Sequence, residues 1–191
     1  AIASDIHGKN HHTEGCFVEC VLSFKIMDEK GVILNCSREE NSDKFWATIG
    51  GMGLSGIILS AKIKLKNIES AYIRQESIKA ENLNEIFRLF EESEDWTYTV
   101  AWIDCLQKGK NIGRSILMRG EHALKVELPF KLADKPLRLK KKFNPTVPFY
   151  FPKFVLNKFT VKAFNFLYFN KQRAKVVKNI IDYETFFYPL D

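Results

Sequence analysis

No stretch of about 18 consecutive apolar residues occurs in the chain, so the sequence offers no membrane-spanning helix. Cysteine is scarce: Cys16, Cys20, Cys36 and Cys105 are too few in 191 residues to staple a disulfide scaffold, and buried free thiols are expected. The Cys16/Cys20 pair has no second pair at matching spacing, which argues against a zinc site of paired cysteines. The first residues, Ala1-Ile2-Ala3-Ser4-Asp5, carry no Met, no basic region and no apolar run, so they do not read as a signal peptide. They begin abruptly, as expected of a segment from a longer chain. A cytoplasmic location, or a peripheral one at a membrane, is the expectation.

Acid is missing from one part of the chain. The net charge of +6 invites a nucleic-acid reading, but residues 131–178 hold 13 Lys and Arg against one acid, Asp134. That segment is +12 and the remainder −6, so the chain is mildly acidic outside one basic segment. Ten aromatics fall in residues 143–169, among them Phe143, Phe149, Phe151, Phe154, Phe164 and Phe169, interleaved with lysines. Such a segment can bind single-stranded nucleic acid by stacking, lie on an anionic membrane, or cover an apolar substrate with an anionic head. Pro136, Pro145, Pro148 and Pro152 break long helices, and residues 136–171 are expected to be a mobile loop.

The rest is ordinary globular material. With 46% hydrophobic and 27% charged residues, the chain can bury roughly 70% of its unfolded surface without a staple. Residues 17–36 read as a hairpin around Asp28-Glu29-Lys30-Gly31. Residues 42–49 read as a short helix with Ser42 as N-cap, ending at Gly50-Gly51. Ile57 to Lys66 alternates, with Ile57, Leu59, Ala61, Ile63 and Leu65 expected on the buried face. Strands follow at 71–78, 97–103 and 113–118. A helix capped by Asn82 is expected to bury Leu83, Ile86, Phe87 and Phe90. Residues 172–182 read as a short helix and 186–191 as a strand-like end. The pattern is α+β on antiparallel sheet, with a boundary near residue 70.

Two motifs stand out. Gly51-Met52-Gly53-Leu54-Ser55-Gly56 fits G-x-G-x-x-G, but a helix precedes it and a strand follows. That order is the reverse of a dinucleotide fingerprint, so a Rossmann site is excluded. A tight turn bringing backbone close to a ligand or to another strand remains. Asp5-Ile6-His7-Gly8-Lys9-Asn10-His11-His12 is the densest polar cluster. It reads as a metal site, as a loop binding an anionic or polar ligand through Gly8, Lys9 and His7, or as solvated histidines. No metal is assigned.

These two motifs carry a resemblance. Ala1 to His12, and Phe45-Trp46-Ala47-Thr48-Ile49-Gly50-Gly51-Met52-Gly53-Leu54-Ser55-Gly56-Ile57-Ile58, resemble FAD-linked oxidoreductases of the vanillyl-alcohol-oxidase (PCMH) type. The branch most similar is the one that oxidises a polyprenyl-phosphoryl ribose as half of a 2-epimerase. Weaker likeness runs through Ala101-Trp102, Arg114 and Arg119-Gly120 to Tyr188-Pro189-Leu190-Asp191. That branch has Tyr-His before Pro-Leu-Asp, where this chain has Phe187-Tyr188.

The resemblance implies a C-terminal half of a PCMH-type FAD-binding domain (1–70) followed by an antiparallel-sheet substrate domain (71–191), both incomplete. The glycine-rich phosphate loop of the family is expected upstream of Ala1, so this chain alone is not expected to bind FAD tightly or turn over. Ser4, Asp5, Ile6, His7 and Ile58 match cofactor-binding positions. Gly8, Lys9 and Trp102 match the substrate pocket. His7 and Lys9 are the expected catalytic residues. The implied cofactor is FAD, held non-covalently. The implied reaction is oxidation of the 2-hydroxyl of a polyprenyl-phosphoryl ribose in cell-envelope arabinose precursor synthesis. An NAD(P)H-dependent short-chain reductase would complete the epimerisation. An alditol or aldonolactone oxidase using oxygen is the rival on the same fold. A basic aromatic membrane- or RNA-binding module without flavin is the rival of another class. Under the flavoenzyme reading the basic aromatic stretch covers the site or contacts the membrane, and no nucleic acid is involved.

Overall fold

Asp28 shows how the first hairpin closes: its carboxylate accepts from the Lys30 and Val32 amides, both at 2.9 Å. This local satisfaction of turn donors joins β1 (Val21–Met27) to β2 (Ile33–Ser37) as antiparallel neighbours. The computed structural model describes residues 1–139, 150, 152 and 155–188. The chain divides into two compact units, Ala1–Asn67 and Ile68–Asp191.

In the first unit, β3 (Ile57–Ile63) pairs with β1, giving a three-stranded sheet of order β2-β1-β3. A one-turn helix, α1 (His11–Glu14), precedes it, and α2 (Ser42–Thr48) packs against the sheet. The core is Val18, Val21, Phe24, Ile26, Cys36 and Phe45, with Phe24 and Phe45 stacked at 5.2 Å.

Two expectations are corrected in this unit. The N-cap of α2 is Asn41, in the left-handed region at φ 47°, and Ser42 is the first helical residue. Asn tolerates that conformation better than Ser, which shifts the cap by one. Along β3 the expected inward face is solvent-facing, whereas Ile58 packs on the core. The register against β1 jumps between Lys25 and Ile26, so Ser60 faces Lys25 and Ile58 faces Ile26. Such a bulge swaps faces and defeats a strict period of two.

The second unit is a four-stranded antiparallel sheet of order β5-β6-β4-β7. Its strands are β4 (Tyr72–Ala80), β5 (Tyr98–Ile103), β6 (Ser115–His122) and β7 (Val176–Asp182). Alternation along β6 separates two cores. Leu117 packs with Ile78, Ala80, Ile86 and Leu89 beneath α3 (Leu83–Glu91). Ile116 and Met118 pack with Ile73, Tyr98, Phe169 and Phe186 beneath α5 (Lys158–Lys171) and α6 (Tyr183–Phe187). The short α4 (Phe130–Ala133) lies in the loop after β6.

Asn82 caps α3 as expected, accepting from the Glu85 amide at 3.0 Å. The helix buries Ile86 and Leu89, whereas Phe87 is exposed. Part of the segment expected as loop is the fourteen-residue helix α5. It starts after the last proline of the cluster. Asn157 accepts from the Phe159 and Thr160 amides while Thr160 Oγ1 accepts from the Asn157 amide. Residues 176–182, expected as helix, pair with β4, which supplies the ladder that their β-branched run suits. Phe186 and Phe187, expected to begin the strand-like end 186–191, instead belong to α6, which Asp182 caps. Phe143, Phe149, Phe151, Phe154 and the closing Pro189-Leu190-Asp191 lie outside the described residues.

Candidate functional site

The strip from Ile2 to Lys9 is held from behind. The Gly50 and Met52 amides donate to the Ile2 and Ala3 carbonyls at 3.3 and 2.7 Å. The Asp5 carboxylate accepts from the Val18 amide at 2.9 Å, and the Phe17 amide donates to the Ile6 carbonyl at 2.8 Å. Asp5 sits in the left-handed region at φ 38°, which turns the strip outward, and His7 forms an isolated antiparallel bridge with Cys16. Ser4, Ile6, His7 and Gly8 consequently face solvent, with Ile6 50% exposed, while Asp5 and Lys9 are half-buried. Burial pulls the Lys9 ammonium below the ordinary lysine value. The His7 and His11 rings lie 4.8 Å apart.

The glycine-rich turn is the strip's support. A Cβ at Gly51 would lie 2.2 Å from the Ala47 carbonyl oxygen. One at Gly56, at φ 139°, would lie 2.4 Å from that of Met27. Of the two readings left open, close approach to a neighbouring element of this chain accounts for both residues. Ile58, matched to a cofactor-binding position, is half-buried against the core of the first unit. Among the described residues, no group of three or more His, Cys, Asp or Glu is placed to hold a metal ion.

Trp102 belongs to the second unit, on β5, where its ring lies 4.7 Å from Tyr168 of α5. Tyr168 in turn stacks on Phe164 at 5.7 Å, and burial raises its phenol. Tyr168 also lines a groove of about 590 Å³ over the sheet. Gln75, Ser77, Asn179, Lys171 and Arg173 are among its lining residues. Amide and hydroxyl groups beside apolar residues suit a polyhydroxylated ligand, and the two cations suit an anion. The sequence reading missed this groove. Its signal was polar Gln75 and Ser77 alternating on a strand whose Ile73 faces the same core.

Three positions of the weaker likeness, Arg114, Arg119 and Gly120, make contacts within the second unit. Buried Asp104 accepts from Arg114 at 2.6 Å, Asn165 at 2.7 Å and Gln107 at 2.8 Å. Burial would raise its carboxyl, but these bonds and one from the Leu106 amide outweigh it and hold the group below the usual aspartate value. Glu76 pairs with Arg119 at 2.7 Å and Lys178 at 2.6 Å. Burial opposes ionisation there too, and the two cations overcome it, lowering the carboxyl. A Cβ at Gly120 would lie 2.6 Å from Ile73 and 2.9 Å from the Phe186 ring.

The motif-bearing strip can be compared with known proteins. No protein-family model matches the chain. Decaprenylphosphoryl-beta-D-ribose oxidase of Mycolicibacterium smegmatis is 35% identical over 196 residues, covering 100% of this chain and 42% of that protein. An uncharacterized protein in the mprA 5′ region of Streptomyces coelicolor is 33% identical over 138 residues, or 72% of this chain and 37% of that protein. Cytokinin dehydrogenase 3 of Arabidopsis thaliana is 48% identical over 46 residues, 24% of this chain and 9% of its own length. The chain thus spans less than half the length of these relatives. Along its whole length the chain is similar to a ribose oxidase, and over part of it to cytokinin dehydrogenases, in agreement with the resemblance that its sequence motifs carry.

Proposed function

We propose that this chain is part of an FAD-dependent oxidoreductase that oxidises a sugar hydroxyl to a ketone. The substrate we assign is a polyprenyl-phosphoryl ribose, oxidised at its 2-hydroxyl. The observation that carries the reading is the anchored, solvent-facing strip Ser4–Lys9.

The strip fits a flavin. Ile6 offers apolar surface to a planar ring, and Gly8 has no side chain to obstruct it. Ser4 and His7 supply polar groups for a ring edge. Asp5 supports the strip from behind rather than reaching outward. Bound FAD, held non-covalently, would accept the hydride that leaves the carbinol carbon.

The chain's own residues do the rest. His7 orients the hydroxyl and takes its proton. Lys9, its charged form disfavoured by burial, places a donor toward developing alkoxide. Within the second unit, Trp102, braced by Tyr168, is the candidate substrate-contacting aromatic, and the groove that Tyr168 lines offers amide, hydroxyl and basic side chains suited to a sugar phosphate. A separate NAD(P)H-dependent short-chain reductase would return the ketone to an alcohol.

The test is rapid-mixing flavin reduction in the full-length protein without oxygen. Polyprenyl-phosphoryl ribose should bleach the flavin, and free alditols and aldonolactones should not. Faster bleaching by the free sugars would favour the oxygen-using rival. A full-length protein that takes up no FAD would refute both.

A further inference from the structure

Helix α5 has two apolar sides. Asn165 and Phe169 are buried against the sheet unit, with Val161 and Tyr168 half-buried beside them. On the opposite side Phe159, Phe166 and Leu167 are 83%, 58% and 67% exposed. Their spacing of seven and eight residues sets them on one stripe, with Ala163 between. Lys158 and Lys162, four apart, lie along one edge of that stripe, and the helix contains no acid. Residues 135–181 as a whole carry 12 Lys and Arg and no Asp or Glu.

We propose that this outward stripe of α5 docks on an anionic lipid bilayer, with Phe159, Phe166 and Leu167 in the interface and Lys158 and Lys162 at the headgroups. Charge complementarity selects the occupant. A packed protein partner would have to desolvate both lysines or supply matching acids, whereas a bilayer lets them extend to its charged surface. Single-stranded RNA is disfavoured because Leu167 offers no ring on which a base can stack. The inference does not depend on the flavin reading, since lipid binding requires no turnover.

The experiment is co-sedimentation of the full-length protein with vesicles of phosphatidylcholine alone or mixed with phosphatidylglycerol. Sedimentation is expected with the mixed vesicles and should weaken with salt. Replacing Phe159, Phe166 and Leu167 by Ser should lower partitioning by at least about tenfold, from the loss of buried apolar area. The buried side of α5 is untouched by these changes. Should the triple variant fail to fold by circular dichroism, Lys158→Gln and Lys162→Gln decide, each expected to cost on the order of fivefold. Wild-type protein that ignores anionic vesicles would overturn the proposal. So would triple-variant binding equal to wild type, or substitutions that abolish only self-association or RNA retention.

Discussion

Arg114 donates to Asp104 at 2.6 Å inside the second unit, with Asp104 only 1% exposed. The same carboxylate accepts from Asn165 of α5, and the Arg114 guanidinium lies 4.4 Å from the Phe169 ring centre. The pair therefore holds both buried residues of α5. Breaking a buried pair from one side strands the other charge. Arg114→Met is expected to cost about 3–5 kcal/mol, read as a lower urea midpoint. A loss under about 1 kcal/mol would contradict this role.

The acid limb of stability should follow Asp104 and Glu76. Both carboxyls are held below their unfolded values, so the unfolded chain binds protons more readily. Their contribution is full above the ordinary carboxylate range of about 4 and is lost as pH falls through the lower folded values. The urea midpoint should fall steeply below about pH 4. Glu76→Gln should make that fall shallower, and an unchanged slope would remove Glu76 from the account.

Gly56→Ala and Gly51→Ala both force a Cβ against a backbone oxygen. Gly56 also pays for a left-handed-side φ that a side chain resists. Each substitution should destabilise the first unit by roughly 1–3 kcal/mol in chemical denaturation. Because the turn anchors the strip, FAD retention by the full-length protein should weaken as well. Alanine variants of wild-type stability would show that the turn tolerates a side chain.

His7→Ala separates chemistry from structure. The side chain is exposed, so stability should change by less than about 0.5 kcal/mol. Flavin reduction should slow by about 100-fold or more if His7 takes the hydroxyl proton. Normal single-turnover reduction would exclude that role.

Legibility followed how local each signal was. The Asp28 turn and the Asn82 cap were readable because each rests on one side chain satisfying nearby amides. The polar cluster at 5–12 stood out by composition alone, but its outward turn at Asp5 depends on anchors from residues 17–18 and 50–52. The face of β3 was misread because a bulge is set by its partner strand, not by its own sequence. Residues 176–182, expected within a helix, are a strand because β4 offers them an edge, and Phe186 and Phe187, expected in a strand-like end, are helical because Asp182 caps α6. The groove over Gln75 and Ser77 joins residues about a hundred positions apart, beyond any local pattern.

The central claim is that hydride leaves carbon 2 of the ribose. Polyprenyl-phosphoryl ribose deuterated at that carbon should bleach the flavin of the full-length protein more slowly than the protiated substrate, in single-turnover mixing without oxygen. A primary isotope effect at carbon 2, with none from deuterium at carbon 3, is the predicted result. Flavin that is not bleached, or an isotope effect only at another carbon, would contradict the account.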